Sequence, residues 1–66
     1  NYANGQMLSE DAHFWDHVFA EVPVQVYHEG KHNDIGFIES FNPYFVKVNN
    51  NFYRRGHFTF VSRPGY

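Results

Sequence analysis

The chain has 66 residues and a formal charge of −2, and it contains no cysteine, which excludes disulfide bonds, thiolate metal sites and thiol nucleophiles in what must be one small domain. So small a core is marginal by itself, and we expect a histidine-bound metal ion or partner subunits to stabilise it. Aromatic residues are 21% of the chain, more than this core can hide, so some should face a partner or a ligand.

The charges are unevenly distributed. Residues 1–41 hold all seven acidic residues and one lysine, whereas residues 42–66 hold the other four basic residues and no acid. This asymmetry indicates either a basic face for an anion or a domain whose opposite ends attract each other. No apolar run approaches the roughly 20 residues of a membrane span, so we predict no membrane contact and a cytoplasmic location. The chain begins at Asn1 and not at methionine, which leaves room for an upstream segment.

The N-terminal part predicts an arm and a helix. Residues 1–8 are polar and are expected to form a flexible arm, followed by one barrel domain over residues 9–66. Ser9 is the predicted helix N-cap, and the helix is expected over about residues 10–20. Apolar residues recur there at helical spacing: Ala12, Phe14, Trp15, Val18 and Phe19. We expect this aromatic stripe to pack on the open side of a sheet.

From Val22 the apolar period changes to two, which predicts strands. Five are expected, over residues 22–27, 35–41, 44–48, 52–55 and 57–62. Gly36 indicates a sharp bend or a close backbone approach, and the asparagines at 49–51 indicate a tight turn. The predicted fold is therefore mainly β, with a short N-terminal α-helix followed by a five-stranded, strongly bent antiparallel barrel.

No arrangement of residues predicts catalysis. The three serines lie outside any strand–elbow–helix context, and there is no glycine-rich phosphate loop. Asp34 and Glu39 could form a carboxylate pair, but solvated or inter-subunit charges explain them better, because no convergent pocket can be argued. We therefore predict that the protein is not an enzyme.

Two histidines are the best candidates for metal binding. His13 and His17 are four residues apart on the predicted helix, with Glu10 on the same flank, and this spacing can place two imidazoles on one ion. The alternative is a polar helix flank, which we favour because no third ligand lies nearby in the sequence. We predict no metal site and no other cofactor.

The fourth predicted strand carries the best candidates for nucleic-acid contact. Tyr53, Arg54 and Arg55 combine a phenol that can stack on a base with two guanidiniums that can bind phosphate. Single-stranded RNA is commonly bound in this way. The alternative is that the arginines pair across subunits with acidic residues: Glu29, Asp34 or Glu39. Adjacent strand residues point to opposite faces, so both arginines can enter one pocket only where the strand bends.

The order of several short segments resembles the Hfq family of bacterial Sm-like RNA chaperones. The segments are Gly5-Gln6-Met7-Leu8, Val22-Pro23-Val24-Gln25-Val26-Tyr27, Gly36-Phe37-Ile38-Glu39-Ser40-Phe41-Asn42, Tyr53-Arg54-Arg55 and Ser62-Arg63-Pro64. The third of these is the most specific, and the resemblance extends over nearly the whole chain. It implies an Sm-like (SH3-like) barrel that assembles through its strand edges into a homo-oligomer, a hexameric ring.

The resemblance also implies two sites for single-stranded RNA. A proximal site for uridine-rich RNA would use Tyr44, Tyr53, Arg54 and Arg55, with Asn42 at the position of the family's aspartate. A distal site for adenine-rich RNA would use Tyr27, Gly30 and Thr59. The chain departs from the family at the pore, where Arg55 replaces a histidine and Pro43 a glutamine. It also lacks the arginine patch of the family's rim, over residues 17–21.

A second function remains open from the sequence. A small barrel of this kind can serve as a protein-interaction or assembly module that binds no nucleic acid, with its aromatic residues at a protein interface. The acidic first part of the chain favours this alternative, and the Tyr53-Arg54-Arg55 segment favours RNA. The two differ in their response to salt, because arginine–phosphate contacts weaken steeply as the salt concentration rises.

Overall fold

The computed structural model describes residues 1–66. One helix and seven strands follow in the order β1 (Met7–Leu8), α1 (Asp11–Phe19), β2 (Val24–His28), β3 (Lys31–Gly36), β4 (Ile38–Phe41), β5 (Phe45–Val48), β6 (Asn51–Arg54) and β7 (Thr59–Ser62). All strand pairs are antiparallel, in two sheets ordered β1-β7-β2-β3 and β4-β5-β6. The mainly β fold with one short helix is confirmed. The strands number seven instead of five, however, and do not close into a barrel. No helix has the length and apolar character needed to cross a bilayer.

The extra strands have two origins. The predicted strand over residues 35–41 begins earlier, at Lys31, and is divided at Phe37 into β3 and β4. A Cβ on Gly36 would lie 2.8 Å from the side-chain amide atoms of Asn49, so glycine permits the predicted close approach. Met7–Leu8 form β1 within the predicted flexible arm. The arm is paired with β7, because Gly5 N–H also donates to Ser62 C=O.

Helix α1 begins one residue later than predicted, and Glu10 is its N-cap in place of Ser9. The imidazole Nδ1 of His13 accepts hydrogen bonds from the backbone N–H groups of Ser9 and Glu10, at 3.0 and 3.2 Å. These bonds satisfy two donors at the start of the helix, which otherwise have no intrahelical partner. His13 therefore supplies the cap that the sequence analysis assigned to the hydroxyl of Ser9.

The buried face of α1 differs from the predicted aromatic stripe. Phe14 and His17 are each 1% exposed, whereas Trp15 and Phe19 are 49% and 77% exposed. Trp15 and Phe19 instead stack on each other outside the core, with ring centroids 5.1 Å apart. His17 can occupy the core because both of its ring nitrogens are hydrogen-bonded.

The core joins both sheets to the helix. Its buried members are Leu8, Phe14, Val24, Val26, Ile38, Val46, Val48, Tyr53 and Phe60. The alternation of valines along β2 and β5 turns one side of each strand inward, as the period of two predicts. Asn49 and Asn50, both at positive φ, form the predicted tight turn between β5 and β6. This turn produces a hairpin with a buried side and an exposed side.

Candidate nucleic-acid interface

The exposed side of the β5–β6 hairpin carries an alternating set of aromatic and basic side chains. Phe45 lies opposite Arg54, and Lys47 lies opposite Phe52. We call these four residues the hairpin face. Their neighbours along the strands, Val46 and Tyr53, are buried and point into the core. Each aromatic ring therefore has a cation directly across the ladder and the second ring diagonally across it.

The side chains of the hairpin face are close enough to interact. Lys47 Nζ lies 5.2 Å from the centroid of the Phe52 ring, and Arg54 Cζ lies 5.4 Å from that of Phe45. Both distances are in the range of cation–π attraction. The Phe52 ring is 64% exposed, so one of its sides remains open to a ligand. Arg54 makes no ion pair, and Lys47 has a single one, 3.5 Å from Glu39.

Tyr44 lies next to the hairpin face, in the turn that leads into β5. Its backbone N–H and that of Phe45 both donate to the side-chain oxygen of Asn42, each at 2.8 Å. The turn is therefore held by Asn42, while the Tyr44 side chain is 69% exposed. Tyr44 is thus placed where a base could stack on it, and Asn42 acts on the backbone instead of facing a ligand.

Arg55 is separated from the hairpin face. Its guanidinium donates to Asp11 Oδ1 and to the carbonyl of Asn42, both at 2.8 Å, and lies 4.8 Å from the ring centroid of Phe14. These contacts connect β6 to the start of α1. They differ from the predicted alternatives, because the acidic partner of Arg55 is Asp11 of the same chain.

Tyr53 is also a structural residue in this chain. It is 7% exposed, and its hydroxyl donates to Asp34 Oδ2 at 2.5 Å. Burial, and then the hydrogen bond to Asp34, raise the pKa of Tyr53 above 10.0. In this fold the Tyr53 ring therefore has no open side on which a base could stack.

Asp34 is the acceptor of several hydrogen bonds. Burial favours its neutral form, but donors from Tyr53, Asn49 and the Ile35 backbone outweigh that effect and hold its pKa below 3.8. Glu39 bonds elsewhere, to Lys47 and to the Asn50 N–H. The two carboxylates therefore do not share a site, and the possible pairing of Asp34 with Glu39 is not formed.

This arrangement predicts a loss of stability in acid. Because the folded chain lowers the pKa of Asp34, its contribution is present above about pH 4 and is lost as the pH falls through the lowered pKa. We expect Asp34→Asn to lower the free energy of unfolding at pH 7 by about 1.5–3 kcal/mol and to flatten its decline between about pH 4 and pH 2. Urea unfolding across this range measures both effects. Tyr53→Phe should flatten the fall in the free energy of unfolding in part. If Asp34→Asn loses stability in acid as steeply as the unaltered protein, Asp34 is not the cause of that fall.

The residues of the predicted distal site are partly brought together. Tyr27 and Thr59 are paired across β2 and β7, and both are half-buried. Gly30, at φ +79, occupies the turn beyond β2 with open space around it. The Tyr27 hydroxyl donates to Gln25 and accepts from the guanidinium of Arg63, at 3.2 and 3.3 Å. Arg63, which the sequence analysis did not select, therefore anchors this tyrosine.

The two metal candidates have structural roles. His17 Nδ1–H donates to the carbonyl of His13 at 2.6 Å, and its Nε2 is hydrogen-bonded to Ser62 Oγ at 2.7 Å. His13 uses its Nδ1 at the helix start. No group of three metal-ligating side chains is present. Ser62 and His17 are 0% and 1% exposed, so this serine–histidine pair is a buried bond between α1 and β7.

Three residues of the hairpin face were not predicted as site residues. Each of Phe45, Lys47 and Phe52 lies on a predicted strand, but the sequence alone does not show which strand residues lie opposite each other. The two-residue turn at Asn49–Asn50 sets the register, and that register alone places Phe52 beside Lys47. No protein-family model, curated protein or solved structure matches this chain.

Proposed function

We propose that this protein binds single-stranded RNA on the hairpin face and the adjoining Tyr44. The observation that carries the proposal is the exposed Phe52 ring, flanked by Lys47 and by the unpaired Arg54. Aromatic rings stack on any base, and neighbouring cations contact the phosphates, which is how many proteins bind single strands. The proposed role is binding without catalysis, in the cytoplasm.

The electrostatics support weak binding that depends on salt. The chain carries −2 overall, but the hairpin face carries two cations and only Lys47 has an acidic neighbour. With about two phosphates neutralised, the logarithm of the affinity should fall with the logarithm of salt concentration with a slope of about 1.4. A slope near zero would indicate that the cations do not contact phosphate.

An Sm-like arrangement remains part of the proposal. The helix packs along β4. If β3 and β4 are counted as one long strand bent at Gly36 and Phe37, five strands follow the helix. This supports the resemblance to the Hfq family. Within that resemblance Tyr44 favours uridine-rich RNA, whereas Tyr27, Gly30 and Thr59 favour adenine-rich RNA. The hairpin face lies beside Tyr44, so we favour the uridine-rich ligand.

The hexameric ring implied by the resemblance meets an obstacle. A ring built by strand pairing needs two free sheet edges in every subunit. β6 ends one sheet, but the outer edge of β7 is paired with β1 of the same chain. A ring that pairs β6 with β7 of the next subunit would therefore require residues 5–8 to leave β7.

Fluorescence anisotropy with labelled uridine-rich and adenine-rich oligonucleotides tests the proposal. We expect Phe52→Ala and Arg54→Ala each to weaken binding about ten-fold, because a base stack contributes roughly 1–3 kcal/mol. Lys31→Ala removes an exposed cation at the start of β3, outside the hairpin face, and should leave binding nearly unchanged. Equal effects of Arg54→Ala and Lys31→Ala would show that only net charge matters and would refute a site on the hairpin.

The alternative function is a protein-interaction module. The observation in its favour is the exposed aromatic pair Trp15 and Phe19, with Phe41 at the edge of Trp15. Exposed aromatic clusters are typical of the centres of protein interfaces. A protein partner bound there should be insensitive to salt and should be lost in Phe19→Ala, which leaves the hairpin face intact.

A further inference from the structure

The outer edge of β6 is an open strand edge in the fold. β6 has β5 as its only strand neighbour, whereas β1 covers β7 and helix α1 packs along β4. An uncovered edge presents backbone donors and acceptors to any strand that can pair with it. β3 is a second edge strand, with β2 as its only neighbour, but the side-chain amide of Asn49 already donates to its Ile35 carbonyl. β6 is therefore the edge to consider for pairing.

The hydrogen-bond pattern of the hairpin identifies which backbone groups face outward. Arg55 N–H donates to Tyr44 C=O, and bonded pairs alternate with unbonded pairs along an antiparallel ladder. Tyr53 therefore bonds to β5, and Phe52 and Arg54 direct their backbone groups away from it. The Arg54 carbonyl is already occupied by the N–H groups of His57 and Phe58, at 3.1 Å each. Phe52 alone offers both a free N–H and a free C=O.

We propose that two copies of this chain pair through β6 about a two-fold axis at Phe52. Each Phe52 N–H donates to the Phe52 carbonyl of the second copy, which joins the two three-stranded sheets into one of six strands. A strand edge can be satisfied by the same edge of a second copy, whereas a ring would need two different edges. The inference does not depend on RNA binding.

The side chains suit this pairing. Residues directly opposite each other in an antiparallel pair project to the same side of the sheet, so the two Phe52 rings lie side by side. The pairing brings together two rings that are each 64% exposed in the single chain. In the same register Arg54 lies opposite the neutral Asn50 of the second copy, so no like charges oppose each other. The two hairpin faces become one continuous surface.

Because Phe52 would contact Phe52 of the second copy, a charge placed at this position would face the same charge. Light scattering without RNA then tests the dimer. We expect the unaltered protein to have the mass of two chains. Phe52→Lys and Phe52→Glu should each have the mass of one chain, because like charges then face each other. An equimolar mixture of the two variants should regain the mass of two chains, because opposite charges then meet. Phe19→Lys alters a ring of similar exposure on the helix and should remain a dimer.

Several results would overturn the inference. A single-chain mass for the unaltered protein at every concentration would exclude the dimer, and a six-chain mass would show that β6 does not close as a two-fold pair. Dimers that persist in Phe52→Lys would place the interface elsewhere. Circular dichroism checks that the variants fold. Recovery of the dimer in the mixture also shows that the single-chain mass of each variant was not caused by unfolding.

Discussion

Replacing His17 with alanine is expected to bring the domain close to unfolding at neutral pH. The imidazole is buried between the His13 carbonyl and the Ser62 hydroxyl, and it bonds to both. Its removal leaves a cavity and a buried hydroxyl without a partner, which together cost about 2–4 kcal/mol. A core this small supplies only about 3–5 kcal/mol, so the loss is most of the stability. Chemical denaturation followed by circular dichroism measures the change.

Ser62→Ala is the matched control for His17→Ala. It removes the other partner of the same buried bond and creates almost no cavity, so we expect a smaller loss, about 1–2 kcal/mol. In the double variant the losses should be less than additive, because both changes remove one interaction. If His17 bound a metal ion instead, zinc would raise the free energy of unfolding of the unaltered protein. Ser62→Ala would not remove that increase, because Ser62 would not be a ligand.

Arg54 and Arg55, adjacent in sequence, are expected to respond to mutation in opposite ways. Arg55→Ala should lower the free energy of unfolding by about 1.5–3 kcal/mol, because its guanidinium bonds to Asp11 and Asn42 and covers Phe14. The ion pair supplies the smaller share, since the Asp11 side chain is 63% exposed. Arg54→Ala should change stability by less than about 0.5 kcal/mol and should weaken RNA binding. Thermal unfolding and anisotropy of the same samples separate the two effects.

Arg55→Lys sharpens this comparison. Lysine keeps the charge but cannot reach two acceptors in the fixed geometry of a guanidinium, so we expect it to recover only part of the lost stability. RNA affinity of the folded Arg55→Lys variant should equal that of the unaltered protein. Weaker RNA binding by Arg55→Ala at a temperature where it remains folded would contradict the structural role and would return Arg55 to the binding site.

Several elements of the fold follow from local sequence patterns alone. The valines of β2 and β5 alternate with polar residues, and this period of two can bury one side only in an extended strand. Asn49 and Asn50 accept the positive φ of a tight turn, and Gly36 accepts the close approach of Asn49. These features needed no knowledge of the partners across the fold.

The helix shows where local patterns became misleading. Apolar spacing selected Trp15 and Phe19 for the core together with Phe14. Of these only Phe14 is buried, and His17 fills the second buried position of the helix. Hydrophobicity alone ranks histidine below tryptophan as a core residue. His17 is buried because Ser62, forty-five residues away, satisfies its second nitrogen. Only the tertiary structure could decide this, because the partner is distant in sequence.

The candidate binding site was also predictable only in part. Composition indicated that aromatic residues would remain exposed, and residue types selected the segment Tyr53-Arg54-Arg55 as the candidate for RNA contact. Its three residues nevertheless have three roles: Tyr53 bonds to Asp34 in the core, Arg54 projects into solvent, and Arg55 holds the helix. Strand alternation separates the first two, and the end of β6 turns the third toward Asp11. Residue types were enough to suggest RNA binding, but the direction of each side chain depends on long-range contacts that the tertiary structure alone provides.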